Sequence, residues 1–191
     1  MSNSITKELV NSSDEELVEY IVATKDPQVF AILYDRYADK IYNKCISFVG
    51  STDEAKDLTH DIFLKLYVAL RSFKSQAKFS TWVYSLVYNY CVNYVQRERT
   101  SNKEQLFDTE DLENFDVEDD IDDQTIFNMK FDKLQLALEK IDPDDKMILL
   151  MKYQDDFSVK DICAAFDIKE SAVKMRLQRA KSKLTIIYNQ L

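Results

Sequence analysis

Glycine occurs once and proline twice in the 191 residues. That scarcity leaves little material for tight turns. It argues against a turn-rich β protein and favours long helices with short connections. No apolar run approaches the length needed to span a bilayer, and the N-terminal MSNSITKELV lacks the basic-then-apolar pattern of a secretion signal. A cytoplasmic chain with no membrane insertion is expected. The three cysteines, Cys45, Cys91 and Cys163, lie far apart among apolar neighbours, without a CxxC, and read as buried thiols in a reducing compartment. His60 is the single histidine, so a histidine-built metal site or catalytic triad has little material. A glycine-rich nucleotide loop is missing as well. Neither catalysis nor a bound cofactor or metal is expected.

The net charge of -9 argues against a nucleic-acid binder only until it is divided. Residues 104–123 hold eleven acids and no base, which leaves 25 bases against 23 acids elsewhere. Residues 71–103 carry six bases against one acid, and residues 170–183 five against one. Local charge governs attraction to a polyanion. Two basic patches separated by an acidic strip are therefore compatible with DNA.

Periodicity gives an all-α chain of two small helical domains joined by an acidic flexible linker. Residues 14–99 read as an N-terminal helical bundle. A short helix covers about 14–24, and Asp26-Pro27 opens a second with Phe30, Leu33, Tyr34, Tyr37 and Ile41 at helical spacing. Gly50 is placed to end it in a left-handed conformation. Ser51 to Glu54 then reads as a capping box, and Ala55, Leu58, Ile62, Leu66 and Ala69 line the inner face of a third helix. A polar loop over 72–80 leads to a fourth helix, capped by Ser80 or Thr81 and running to about Arg99. Residues 100–124 lack periodicity and are expected to be extended by self-repulsion. Residues 125–191 form the second domain, with helices marked by Leu134, Leu138 and Ile141 and, after Asp142-Pro143, by Met147, Ile148, Leu150 and Met151.

The second domain ends in a helix-turn-helix pattern. Ser158 to Asp161 resembles a capping box, Val159, Ile162 and Phe166 give a short apolar face, and Asp167-Ile168-Lys169 makes a tight turn. The last helix starts near Glu170 and keeps Val173, Leu177, Ala180, Leu184 and Ile187 on one stripe. Its opposite face carries Ser171, Met175, Gln178 and Ser182, flanked by Lys174 and Arg179. A helix apolar inside and polar-basic outside fits the major groove. Gln pairs with adenine and Arg with guanine or phosphate, while Lys181 and Lys183 are expected on phosphates. A solvated surface helix would give the same pattern.

In the first domain, Phe73, Phe79, Trp82, Tyr84, Tyr88, Tyr90 and Tyr94 alternate with Arg71, Lys74, Lys78, Arg97 and Arg99. Rings beside cations suit unpaired bases, which stack while their phosphates meet Lys and Arg; the same rings would also fill a core. The pattern puts Val83, Leu86, Val87, Tyr90 and Tyr94 inward and Tyr88, Asn89, Val92 and Gln96 outward. Asn89 is placed to hydrogen-bond an exposed base edge. On the third helix Asp57, His60, Asp61 and Leu64 face outward, and acids beside an exposed Leu suit docking to a basic protein surface.

Together these blocks resemble the extracytoplasmic-function group of bacterial sigma factors, over nearly the whole chain. Phe30-Ala-Ile-Leu-Tyr-Asp-Arg-Tyr37 resembles the family's opening helix. Asp53 to Leu66 resembles the helix that binds the β′ clamp of RNA polymerase, and Phe79 to Asn89 the element at the upstream edge of the melted bubble. The resemblance implies promoter DNA and core RNA polymerase, through its β′ clamp and β flap, as partners. Asp57, His60, Asp61 and Leu64 would then meet the β′ clamp, although the family usually has Gln where His60 stands. Lys74, Ser75, Gln76, Lys78 and Asn89 would meet the minus-ten element, and Ser171, Lys174, Met175, Gln178 and Arg179 the minus-thirty-five element. The acidic linker would mimic nucleic acid in the polymerase cleft. Many members are held by an anti-sigma factor, a further partner the resemblance implies.

A transcription regulator that binds duplex DNA without polymerase is the competing expectation, and a protein-only helical adaptor a third. The first leaves the aromatic-basic loop idle, and the second leaves the basic recognition face unexplained.

Overall fold

The computed structural model describes residues 9–102 and 121–191, and all regular structure within them is helical. The chain divides into two compact units, one ending at Cys91 and the other beginning at Val92, inside a continuous helix.

In the first unit, helix α1 (Asp14–Thr24) opens on a reciprocal capping box between Ser13 and Glu16. Lys25, at φ 57°, ends it in the left-handed region. Helix α2 (Pro27–Val49) starts where Asp26 accepts a hydrogen bond from Gln28 N–H at 2.8 Å, with Pro27 in the first turn. Gly50, at φ 71°, closes it, a conformation that costs an L side chain and not glycine. Helix α3 (Thr52–Ala69) is capped by Ser51, whose hydroxyl accepts from Glu54 N–H over a long 3.5 Å, one half of the expected box. Helix α4 spans Phe79–Asn102.

The start of α4 departs from the expected cap at Ser80 or Thr81. The Phe79 N–H donates to the Glu15 carboxylate of α1 at 2.9 Å, so the cap comes from another helix. Asp14, beside Glu15, ties α1 down. It accepts from Arg36 and from the Tyr37 hydroxyl, each at 2.5 Å. Burial and the carboxylate beside it push the Tyr37 hydroxyl well above the ordinary tyrosine range.

The expected faces of α4 need correction. Tyr88 is wholly buried and Val92 nearly so, although both were expected outside. Phe79, Thr81, Val83, Ser85, Val87, Tyr88, Cys91 and Val92 are all buried. At roughly 100° per residue they cover more than half the circumference, because α4 is enclosed on several sides instead of lying on a surface. Tyr90 and Tyr94, expected inside, are half-buried. Cys45 and Cys91 are fully buried with their sulfurs 3.9 Å apart, while Cys163, expected buried, is half-buried.

Of the expected linker, residues 103–120 lie outside the described residues. Its two ends are helical instead of extended, since α4 reaches Asn102 and helix α5 (Asp123–Phe127) opens at Asp123. The second unit continues with α6 (Phe131–Lys140), α7 (Pro143–Leu149) with a π turn at Leu150–Gln154, α8 (Val159–Phe166) and α9 (Glu170–Gln190). Its core sets Val173, Leu177, Ala180 and Leu184 of α9 among Ala137, Ile141, Ile148, Met151 and Ile162. Each large aliphatic side chain there contributes about 1.5–3 kcal/mol by leaving water. No described helix is long and apolar enough to cross a membrane.

Candidate nucleic-acid and partner interfaces

Three surfaces carry the expected residues, and each is fixed by a different local device.

The first is the outer face of α9. Helix α8 begins with a complete capping box. The Ser158 hydroxyl accepts from Asp161 N–H at 3.1 Å, and the Asp161 carboxylate accepts from Ser158 N–H at 2.9 Å. Asp167, at φ 52°, ends α8, donating its N–H to the Cys163 carbonyl. This left-handed residue turns the chain within three positions, so α9 starts at Glu170. With the stripe from Val173 to Leu184 buried, Ser171, Lys174, Met175 and Arg179 are exposed and Gln178 is half-buried. Arg176, which the sequence pattern did not single out, is exposed as well. Met175 is 54% exposed on this face, an apolar side chain of the kind that can contact a thymine methyl. Lys174 pairs with Glu170 at 2.6 Å. The pairing holds the Glu170 carboxyl below its usual range and the Lys174 ammonium above its own. Both side chains are exposed, by 65% and 56%, so a phosphate can compete for the lysine.

Two basic residues of α9 leave this surface. Lys181, expected on a phosphate, is buried; its ammonium donates to the Ile121 carbonyl and to Asp123 Oδ1, the latter at 3.0 Å. Lys183, expected likewise, pairs with Asp145 at 2.8 Å, their side chains 22% and 17% exposed. Lys181 is thus buried and Lys183 half-buried, each engaged within its own unit. Composition counts charges but cannot see which are consumed by internal acids.

The second surface is the loop 73–78 and the face of α4 beyond it. Phe73, Phe79 and Trp82 pack within 5.7 Å of one another, Phe79 being fully buried. Those rings therefore hold the two ends of the loop together instead of standing ready for bases. Between them Lys74, Ser75, Gln76 and Lys78 are all exposed, and Ser75 adopts the left-handed region at φ 53°. Asn89 is exposed, as expected. Asn93, four residues on, is exposed on the same side, while Trp82 and Leu86 on that stripe are half-buried, Leu86 being expected inside. Asn93 was missed by the sequence reading, although its spacing from Asn89 was available. Deeper in, Lys44 lies buried with its ammonium 4.3 Å from the Tyr84 ring centre and 3.3 Å from the Tyr88 hydroxyl. Tyr88 thus belongs to the core.

The third surface is the outward stripe of α3. Asp57, His60, Asp61 and Leu64 are all exposed, Leu64 by 57%. Asp61 accepts from the Tyr90 hydroxyl at 3.2 Å, and Lys65 sits 4.3 Å above the same ring. Tyr90 therefore braces this stripe from α4. Further along, Tyr67 and Val68 are also exposed, Val68 by 75%. Beside them a cavity of about 260 Å³, lined by Ile21, Val22 and Leu70 with Lys25 and Arg71, opens between α1 and α3. Spacing from the inward stripe marks Leu64 as outward but does not show how far the apolar outer patch extends.

Comparison with known proteins covers the same ground. The family model for sigma-70 region 2 matches residues 33–100, and that for sigma-70 region 4 matches residues 131–184. The chain is similar to the ECF RNA polymerase sigma factor SigW of Bacillus subtilis (strain 168), at 27% identity over 83% of this chain and 88% of that protein. It is similar to the ECF RNA polymerase sigma-E factor of Escherichia coli (strain K12), at 27% identity over 90% and 92%. Among solved structures, CnrH in complex with the cytosolic domain of CnrY shares the fold at TM-score 0.63 and 17% identity, over 93% of this chain and 97% of that one. The sigma factor RpoE in complex with the anti-sigma factor NepR from Bartonella quintana does so at TM-score 0.55 and 19% identity, over 83% and 95%.

Proposed function

This chain belongs to the sigma-70 family, as an extracytoplasmic-function sigma factor with regions 2 and 4 that directs promoter recognition by RNA polymerase, and from that premise we propose which of its residues meet each partner. Ser171, Lys174, Met175, Gln178 and Arg179 of α9 meet the minus-thirty-five element in the major groove. Arg179 and Lys174 supply charge, and Met175 and Gln178 tune the sequence read. Lys74, Ser75, Gln76 and Lys78 of the loop, with Asn89 of α4, capture unpaired bases of the minus-ten element. Stacking of each captured base is worth roughly 1–3 kcal/mol towards melting. Asp57, His60, Asp61 and Leu64 of α3 dock on the β′ clamp, and the helix-turn-helix rests on the β flap. The polymerase performs the chemistry, in the cytoplasm.

In this reading residues 14–99 form the polymerase-binding and minus-ten domain and residues 125–191 the minus-thirty-five domain. The acidic segment between them acts as a polyanion mimic. An anti-sigma factor is a further partner, a reading supported by the shared fold of RpoE, solved in complex with the anti-sigma factor NepR, and of CnrH, solved in complex with the cytosolic domain of CnrY.

The observation that carries the assignment on α9 is the partition of its cations. Lys174, Arg176 and Arg179 are exposed, while Lys181 and Lys183 are paired within the unit at Asp123 and Asp145. The test is reconstitution of the purified chain with core polymerase and a promoter library. Specific initiation that is lost on Lys174→Glu with Arg179→Glu supports the reading. Initiation unaffected by that double reversal removes it, and specific duplex binding by the chain without polymerase favours an ordinary regulator.

A further inference from the structure

The loop that carries Lys74, Ser75, Gln76 and Lys78 ends on a residue that cannot cap the helix it opens. The Lys78 carbonyl accepts from Trp82 N–H at 3.2 Å, so Lys78 stands at the capping position of α4. A lysine side chain has no acceptor for a free helix N–H, and its charge opposes the positive end of the helix dipole. Helices α6 and α9 also start after a lysine, and both go without a side-chain cap. Helix α4 instead receives one from 64 residues away, where Glu15 Oε1 of α1 accepts from Phe79 N–H at 2.9 Å. A carboxylate suits that end of a helix by charge as well.

The residue beside Glu15 grips the same place. Asp14 accepts from the Tyr37 hydroxyl at 2.5 Å, and the Tyr37 ring meets the fully buried Phe79 ring edge-on with centroids 5.7 Å apart. Arg36 of α2 holds Asp14 in turn. Two consecutive acids of α1 therefore fix the backbone and, through Tyr37, the ring of the residue that follows Lys78. At the loop's other end Phe73 packs on Phe79 and Trp82, at 5.3 and 5.4 Å. Lys74, Ser75, Gln76 and Lys78 are exposed between these two holds.

We propose that Glu15 is a positioning residue for minus-ten recognition, which caps α4 from α1 and so fixes how the loop presents Lys78 and its neighbours to unpaired bases. The proposal rests on the assignment of that loop to the minus-ten element. An acceptor at position 78 would supply the cap locally and remove a cation from the DNA surface. Supplying it from Glu15 serves both needs. Without the cap, the first turn of α4 and the loop before it populate other arrangements. Affinity for unpaired bases then falls with the fraction of molecules in the competent one.

The test uses holoenzyme reconstituted from the full chain and core polymerase, with two labelled DNA probes taken from a promoter it initiates on. One is a forked duplex whose minus-ten bases are unpaired. The other is a plain duplex with the minus-thirty-five element alone. The readout is the ratio of the two affinities, which a general loss of folded protein does not move. Glu15→Ala should lower the ratio by roughly fivefold, the equilibrium worth of one helix cap. Glu15→Gln keeps an acceptor oxygen and should return the ratio to within about twofold of the parent. Gly50→Ala, strained elsewhere in the same unit, should leave it unchanged. Amide exchange over residues 74–82 should quicken in Glu15→Ala and stay near the parent's in Glu15→Gln. An unchanged ratio in folded Glu15→Ala overturns the proposal, as does an equal fall in Gly50→Ala or in Glu15→Gln. Glu15→Asp, one methylene short of Phe79 N–H, should also lower the ratio and decides the matter where Glu15→Ala fails to fold. A parent holoenzyme with no affinity for the unpaired minus-ten bases strikes the loop assignment itself, and the proposal with it.

Discussion

Removing Lys183 should damage the protein without touching its salt-dependent grip on DNA, whereas removing Lys174 or Arg179 should do the reverse. The difference follows from where the charges go. Lys174 and Arg179 are exposed, while Lys183 is paired with Asp145. One phosphate contact contributes about 0.9 to the slope of log affinity against log salt. Each of Lys174→Ala and Arg179→Ala should therefore flatten that slope by about 0.9. Over a rise from about 50 to 200 mM salt this is roughly 3.5-fold less loss of affinity per contact. Lys183→Ala should leave the slope alone. It strands an Asp145 side chain that is 17% exposed, a cost of about 1–3 kcal/mol, or at least about 4 °C in Tm for a domain this small.

The pH dependence of that cost has a definite sign. Burial raises Asp145 above the usual carboxylate range, and Lys183 opposes the rise, with Asp142 raising it and Arg179 lowering it further. A raised folded-state value means that the folded form holds the proton more tightly than the unfolded chain. The penalty is then absent below the unfolded value and grows as pH climbs through the folded one. Lys183→Ala raises Asp145 further. Its stability deficit against the parent should be greatest at neutral pH and shrink as pH falls through the mildly acid range. The assays are holoenzyme binding to labelled promoter DNA across a salt series, and thermal unfolding of the chain across pH. A Lys183→Ala slope as flat as that of Lys174→Ala, or a deficit independent of pH, would refute the partition of cations.

Three other outcomes follow from single contacts. Glu15→Ala removes the cap that α1 supplies to Phe79 N–H; it should cost about 1 kcal/mol and speed hydrogen exchange in the first turn of α4. Gly50→Ala meets open space but is forced to φ 71°, so a loss of about 1 kcal/mol is expected with no cavity or clash. Gly50→Asn should lose less in the same chemical unfolding measurement. Ile162→Ala, at a fully buried position of α8, should cost about 2–5 kcal/mol, seen as a fall in the unfolding midpoint of the second unit with that of the first unchanged.

Much of the molecule was legible because its signals are local. The left-handed stop at Gly50, the Pro27 start and the box from Ser158 to Asp161 each depend on residues within one turn. The outward placement of Asp57, His60, Asp61 and Leu64 followed from spacing on a helix with one buried stripe. The same logic misplaced Tyr88 and Val92, because α4 is enclosed over more than half its circumference and one stripe no longer describes its buried side. It also misplaced the start of α4, whose cap is Glu15, 64 residues away.

The sequence by itself determined most of the helices, the locally capped ends such as Pro27, Gly50 and Ser158, the two basic regions and the acidic stretch between them, since turn chemistry and 3.6-residue periodicity act over a few neighbours. Tertiary structure alone decided which cations meet solvent. Lys174 and Lys181 are alike as residues on one helix, yet the first is exposed and the second lies under Ile121 and Asp123. Lys174 pairs only with Glu170 one turn away and stays exposed, whereas Lys181 is buried and Lys183 half-buried against acids far away in the chain, which the sequence pattern does not show.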